Sequence, residues 1–324
     1  LLGRATGTGA DDVAGLLEVA VATGMLVELD DNTGWRFSHA LVQDAIAATL
    51  GRAQRARLHR SLATAIEALH GDDLEWHLDD LARHHVAAAL VGPTYDAIRW
   101  CCVAADTARA RGRFDWAAKL GQDALGLARR TAGIDDTVVF DLLLDLARDQ
   151  RASGDVDSFG RTLNEAIELS RRLRDSHRTA LAASELGWVN LWNLRPYGSI
   201  DDAACVEIER LADAEQDPAL AARLYGAVAV ELYYGPRRAH GETLARKAVE
   251  LAREVGDPML RGRTLNNFAL AAWTPDRDAD RDAAIDEAIS LSGQLPRFTE
   301  SIARLHRASN RLRRGDLRGA TDDV

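Results

Sequence analysis

The pair Asp-Pro occurs at Asp217-Pro218 and again at Asp257-Pro258, forty residues further on, and each copy opens a similar apolar run: ALAARLYGAVAVEL, then MLRGRTLNNFALAAW. Small residues keep the same beat. Ala124, Ala166, Ala248 and Ala288 fall at intervals of 42, twice 41, and 40, which predicts a weaker copy near Glu207. A third signature is a glycine followed within two or three residues by a second helix that opens on a small residue. It recurs in ARGRFDWAAKLGQDALGLA (110–128), ASGDVDSFGRTLNEAIELS (152–170) and RRGDLRGATDD (313–323). Self-similarity at one fixed period means stacked helix pairs, because a single pair cannot bury its own apolar face. The small residues mark where one helix must approach its neighbour closely, and the glycine relieves the turn between helices. The fold class expected is therefore all-α, an α-solenoid over residues 71–324 whose last repeat is cut short.

The first seventy residues have a different pattern. Asp11 to Thr23 predicts an amphipathic helix with Val13, Leu16, Leu17 and Ala20 on its apolar face, closed by Gly24. MLVEL (25–29), DDNTG (30–34) and WRF (35–37) then predict a short β-hairpin, the one piece of β-structure expected. A long helix follows from His39, interrupted near Gly51 and continued in AQRARLHRSLATAIEAL (53–69). Helices followed by a hairpin make a small winged-helix unit, so the expected division is 1–70 and 71–324.

Composition narrows the function. A net charge of −10 argues against a chain built to coat nucleic acid. Within it, RAQRARLHR (52–60) is a local basic run, better explained as a solvated helix face than as a DNA contact. Cys101, Cys102 and Cys205 form neither a metal spacing nor an even disulfide set, so reduced thiols in the cytoplasm are expected. No apolar run is long enough for a membrane span, and no signal peptide opens the sequence. Only Lys119 and Lys247 are lysines while arginine abounds, which hints at a GC-rich bacterial genome. The opening LLGRATGTG and the closing GDLRGATDDV are those expected of a fragment.

WRFSHALVQDAIAATL, RARLHRSLATAIE and DLARHHVAAAL together resemble the junction between winged helix and repeats in large ATP-binding LuxR-type regulators. These belong to the STAND class of signal-transduction ATPases with numerous domains. The likeness is strong over 35–90 and generic over the repeats, where GRFDWA resembles a tetratricopeptide turn at a period longer than the usual one. The resemblance implies a right-handed solenoid of tetratricopeptide-like helix pairs, joined in cis to an upstream nucleotide-binding domain that holds ATP or ADP. No GxxxxGK[ST] occurs in this sequence, so the chain itself carries no cofactor site of that kind. SHALV aligns with the MHDLV motif of STAND relatives, whose histidine contacts the β-phosphate of ADP. The alignment implies that role for His39 in an intact parent, with Ser38 and Ala40 standing for the motif's methionine and aspartate. If Ser38 caps the helix, His39 occupies its first position, among free backbone N–H groups that attract anions. The alternative is that His39 packs on the wing.

The candidate ligand site is aromatic. At the repeat spacing, Trp192, Tyr233 and Trp273 fall at equivalent positions near the end of the first helix of each pair, and Trp188 lies one turn before Trp192. Asn193, Glu231, Tyr234 and Asn266 are near enough in sequence to add polar contacts. Flat aromatic faces with interspersed amides suit a small-molecule inducer or a peptide in a concave groove, and inter-repeat core is the alternative. His77, His84 and His85 lack a fourth ligand or an HExxH, so no metal site is expected. No catalytic constellation emerges, and an enzyme is not expected of this segment. The function expected is the sensor arm of a bacterial transcriptional regulator. It would respond to an inducer or partner protein, self-associate on activation, touch no DNA or membrane itself, and pass its signal to an output of DNA-binding, cyclase or other type. The alternative is a helical-repeat adaptor for a protein segment, with no nucleotide switch.

Overall fold

The computed structural model describes residues 1–29, 34–71, 73–186, 199–295 and 297–323. They form two compact units, Leu1–Thr162 and Leu163–Val324. Unit 1 begins with α1 (Leu2–Thr6) and α2 (Ala10–Ala22), the strands β1 (Leu26–Glu28) and β2 (Trp35–Phe37), and α3 (Ala40–Thr49). It continues with α4 (Arg52–His70), α5 (Leu78–Ala88), α6 (Thr94–Ala110), α7 (Phe114–Arg130) and α8 (Asp136–Ser153), and α9 (Val156–Leu173) spans the division. Unit 2 contains α10 (Ser176–Ala183), α11 (Asp202–Ala214), α12 (Pro218–Glu231), α13 (Arg238–Val255), α14 (Pro258–Ala271), α15 (Asp278–Ser290), α16 (Arg297–Arg313) and α17 (Leu317–Asp322).

The repeat is legible in where helices start. First helices α6, α8, α10, α12, α14 and α16 begin at 94, 136, 176, 218, 258 and 297, and α4 begins at 52 in the same series. Within unit 1 each of α4 to α7 packs on the next helix, and α5 also meets α7. Within unit 2, α12 packs on α13 and α14, and α14 on α15 and α16. Contact with the next helix and the next but one is solenoid packing, and the fold is all-α apart from one hairpin among the described residues.

The sequence signatures have physical causes. Asp217 and Asp257 are N-caps whose carboxylates accept from the N–H of Ala219 and of Met259 and Leu260, while the following prolines sit at the first helical position, where no N–H is needed. The turn glycines Gly112, Gly154 and Gly315 have φ of 72°, 87° and 85°, a left-handed backbone that a side chain would strain. The alanines Ala124, Ala166, Ala248 and Ala288 are all wholly buried. Each lies ten residues after the start of its helix, and so does Ala88 in α5.

The copy expected near Glu207 is displaced. In α11 the tenth residue after the start is Ala212, which is buried, while Glu207 faces outward and pairs with Arg171. Helix α11 starts later than an even beat would place it, so counting from alanine to alanine lands short. Register follows the helix start, because that start sets which face turns inward.

The hairpin forms as expected, antiparallel with Leu26 opposite Phe37 and Glu28 opposite Trp35. Its turn at 30–33 lies outside the described residues. The helix expected over 11–23 is α2, and a further short helix, α1, precedes it and packs on α4. None of the described residues before Ala56 is buried. Leu16 of α2 stands 67% exposed and Leu41 of α3 80%, while Val13, Leu17 and Ala20 are half-buried, so the described residues close over the apolar face of α2 only in part. The 70/71 boundary falls at the end of α4, a helix that packs on both α1 and α5.

Overfilling the recurrent alanine tests the close approach. Ala248→Leu is expected to cost about 1–3 kcal/mol, read as a lower urea midpoint at unchanged slope. Glu207→Ala on the outer face is expected to move stability by less than about 0.5 kcal/mol. A wild-type midpoint for Ala248→Leu would show that the helices do not need the small residue.

Candidate ligand site

The start of α3 differs in detail from expectation. His39, not Ser38, is the N-cap, with extended backbone angles (φ −140°, ψ 142°), and its carbonyl accepts from the N–H of Val42 at 3.0 Å. The imidazole is exposed and makes no cap hydrogen bond. Ser38 Oγ is buried without a hydrogen-bond partner among the described residues, so it caps nothing. A short extended step out of β2 delays the first helical turn by one residue. The imidazole still stands beside the free N–H groups at the head of a ten-residue helix.

Of the expected aromatic row, Trp188, Trp192 and Asn193 lie outside the described residues. Tyr233 and Trp273 do occupy equivalent places, each fifteen residues after the proline that opens its helix. Both come just after the helix end rather than within it: Tyr233 lies in a 3-10 turn (Leu232–Tyr234) and Trp273 follows α14. Both are half-buried. Tyr234 is exposed and meets Tyr233 edge to face, with ring centroids 4.6 Å apart. Glu231 Oε1 accepts from the N–H of Asp201 at 3.2 Å, so this carboxylate anchors the head of α11. Asn266 is corrected from groove contact to core: it is buried, and its Nδ2 donates to the carbonyl of Thr299 at 3.0 Å, tying α14 to α16.

Buried polar side chains set the core of unit 2 apart. Arg263, Asn267, Arg281, His306 and Asn310 are all buried with Asn266. Arg281 has no accessible surface; its Nε donates to the carbonyl of Ala269 at 2.7 Å, and its guanidinium lies 4.3 Å from the centroid of the Trp273 ring. Its Nη2 faces His306 Nδ1 at 3.4 Å, and His306 meets Trp273 edge-on at 6.2 Å. Burial, reinforced by the like charge of Arg313, pulls the Arg281 pKa down to about 10, against the pull of Asp278, Tyr233 and Asp282. Burial and then Arg281 press His306 down to about 3, so its ring is neutral.

The signal for Arg281 was available in the repeat. Three residues after the start of each second helix stand Leu81, Ala117, Phe159, Cys205, Gly241, Arg281 and Ala320. All seven are buried, and only Arg281 is charged. Because each recurrent alanine lies ten residues into its helix, the same exception stands seven residues before the alanines, where Arg281 precedes Ala288 as Phe159 precedes Ala166.

The histidines of unit 1 pair off. His77 lies tilted against His70 with centroids 3.8 Å apart, and His85 Nε2 meets Glu67 Oε1 at 3.1 Å. His84 Nδ1 lies 2.7 Å from His59 Nδ1, and Arg83 Nη2 lies 3.2 Å from His84 Nε2. Because Arg83 can only donate, His84 carries its proton on Nδ1 and gives it to a bare His59 Nδ1. No group of three or more His, Cys, Asp or Glu suited to a metal occurs among the described residues. Burial pushes the thiols of Cys101 and Cys205 up to about 12, and all three cysteines are free. Arg52, Arg55 and Arg57 of the basic run are exposed to solvent.

No family model matches the chain. A protein of Rhizobium meliloti (strain 1021), described only as uncharacterised, is 23% identical over 319 residues, which is 94% of this chain and 30% of that protein. The chain thus spans less than a third of the length of that curated relative. Among solved structures, a STAND protein with a tetratricopeptide repeat sensor from Pyrococcus horikoshii gives a TM-score of 0.45 at 12% identity, over 91% of this chain and 48% of that one. BtubC from P. vanneervenii gives 0.34 at 14% identity, over 85% and 89%. Both scores are too low to carry an argument, and the fold assignment rests on the chain's own packing. No helix among the described residues is long and apolar enough to cross a membrane.

The paired imidazoles set a pH dependence. Burial, followed by Arg83 and His59, lowers His84 to about 4 from a normal 6.5. The folded chain therefore holds fewer protons than the unfolded chain between those values, and this contribution to stability falls as pH drops through that window. His84→Gln is expected to flatten the decline in melting temperature between pH 6.5 and 4 relative to wild type. Parallel curves for the two proteins would refute the coupling.

Proposed function

We propose that this chain is the sensor arm of a larger signal-responsive regulator, and that it takes its signal as a ligand in unit 2. The observation that carries this is the juxtaposition, at matched repeat positions, of half-buried Tyr233 and Trp273 with a buried arginine that lies against Trp273. Repeats that only needed core would put aliphatic side chains there. The sequence likeness of 35–90 to the LuxR-type junction supports a parent of the STAND class, with ATP or ADP held by an upstream domain in cis. In that parent the segment 1–70 is a winged helix, and its output is transcriptional control in the bacterial cytoplasm. The arm itself acts by binding and shape change, not by catalysis.

The residues present fit one wall of a nucleotide site. His39 offers an exposed imidazole donor next to unpaired N–H groups at the head of α3, the chemistry that holds a phosphate. Bound there, a nucleotide would supply the two-state switch, and the ligand would act by preferring one of the two states. The exposed apolar face of α2 and α3, including Leu16 and Leu41, agrees with a segment that completes its core against another domain.

In the full-length parent, His39→Ala is expected to speed ADP release about tenfold, the equivalent of one charge-assisted hydrogen bond of ~1.5 kcal/mol. Inducer is expected to change nucleotide exchange in the wild type. Unchanged exchange in both experiments would leave a helical-repeat adaptor as the function. Tyr233→Ala and Trp273→Ala should weaken ligand binding while cooperative unfolding persists; unfolding of both variants would assign the two rings to core.

A further inference from the structure

Arg281 breaks the rule of its own register. Its six equivalents are buried and uncharged, and it brings a guanidinium with no accessible surface to the same place. The carboxylates whose fields reach it are engaged elsewhere. Asp278 pairs with Arg313 and Arg314, and Asp282 pairs with Arg314 and accepts from Asn310 Nδ2. Arg281 Nη1 is buried without a hydrogen-bond partner among the described residues.

The adjoining histidine adds a second donor. A guanidinium only donates, so His306 Nδ1, facing Arg281 Nη2, is the bare nitrogen and the ring proton sits on Nε2. His306 Nε2 is also buried and without a partner among the described residues. The cluster therefore holds one positive charge and two nitrogens, Arg281 Nη1 and His306 Nε2, whose N–H groups are unengaged among the described residues. An apolar side chain of the same volume would fill this position with no desolvation cost, so stability alone does not account for the arginine.

We propose that Arg281 and His306 recognise the carboxylate of a planar organic acid, with Trp273 and Tyr233 as its aromatic surroundings. A carboxylate brings one negative charge and two acceptor oxygens, matching the single charge of the guanidinium and the two unengaged nitrogens, whereas phosphate at neutral pH brings more negative charge than one guanidinium balances. Trp273, against which Arg281 lies, and Tyr233 are both half-buried, and a flat ligand body matches those rings. The identity of this site as the signal site rests on the sensor-arm proposal; its chemistry rests on Arg281.

The test uses the 324-residue chain and sodium benzoate, followed by calorimetry and thermal shift, with sodium acetate and sodium phosphate at matched ionic strength. Benzoate is expected to bind saturably at one site and raise the melting temperature, acetate to bind more weakly, and phosphate to give no saturable signal. Arg281→Met, similar in volume and uncharged, should fold as stably as wild type and lose at least tenfold in benzoate affinity. Should that variant lose cooperative unfolding, Arg281→Lys takes its place, with weakened benzoate binding as the supporting result. Absence of benzoate binding to wild type, phosphate binding as tight as benzoate, or unchanged affinity in the folded variant overturns the assignment. Arg281-dependent binding that leaves nucleotide exchange of the intact parent unchanged would sink the sensor proposal and keep the site. Exchange in the intact parent that responds to benzoate equally in Arg281→Met would overturn the site and keep the sensor proposal.

Discussion

Everything in this chain hangs on the close approach of helices at one small residue per pair. Ala88, Ala124, Ala166, Ala212, Ala248 and Ala288 all lie ten residues into their helices, all buried. A larger side chain there would push the helix away from its neighbour and open every contact along it, since packed interiors have no slack to absorb a methylene. Gly226 shows the same limit on a first helix: a Cβ at that position would lie 2.7 Å from Asn267 Nδ2. Once the distance between helices is set, aspartate caps and left-handed glycines have only to deliver each helix to its place.

The same tight packing makes any charge inside it conspicuous. In unit 1 the buried Asp149 is answered by Arg109, whose Nε lies 2.8 Å from Oδ1; burial still pushes the acid up to about 6. Among the described residues, Arg281 in unit 2 meets a backbone carbonyl, an aromatic face and a neutral imidazole. A buried ion pair and a buried lone cation cost very different amounts. That difference separates a structural charge from one positioned for an outside partner.

How much of this was legible beforehand varies by residue. The hairpin partners, the Asp-Pro caps and the buried alanines followed from local rules of turn, cap and period. Glu207 was predicted in place of Ala212 because a beat counted along the chain ignores residues added between helices. Asn266 reads as a groove residue because spacing gives its height on the helix but not which side its neighbour covers. Trp188, Trp192 and Asn193 lie outside the described residues. Arg281 and His306 look like surface in the sequence taken locally, since an arginine in a charged stretch carries no mark of burial of its own.

The sequence by itself therefore determined the helices, their period and the identity of the residue at each close approach. Those depend on hydrogen bonds and steric limits spanning a few residues, which composition and spacing encode directly. Only the tertiary structure decided which polar groups went inside and which of them met a partner. Burial is a property of what neighbouring helices cover, and Arg281, Trp273 and His306 come from three successive segments that meet only when α14, α15 and α16 stack.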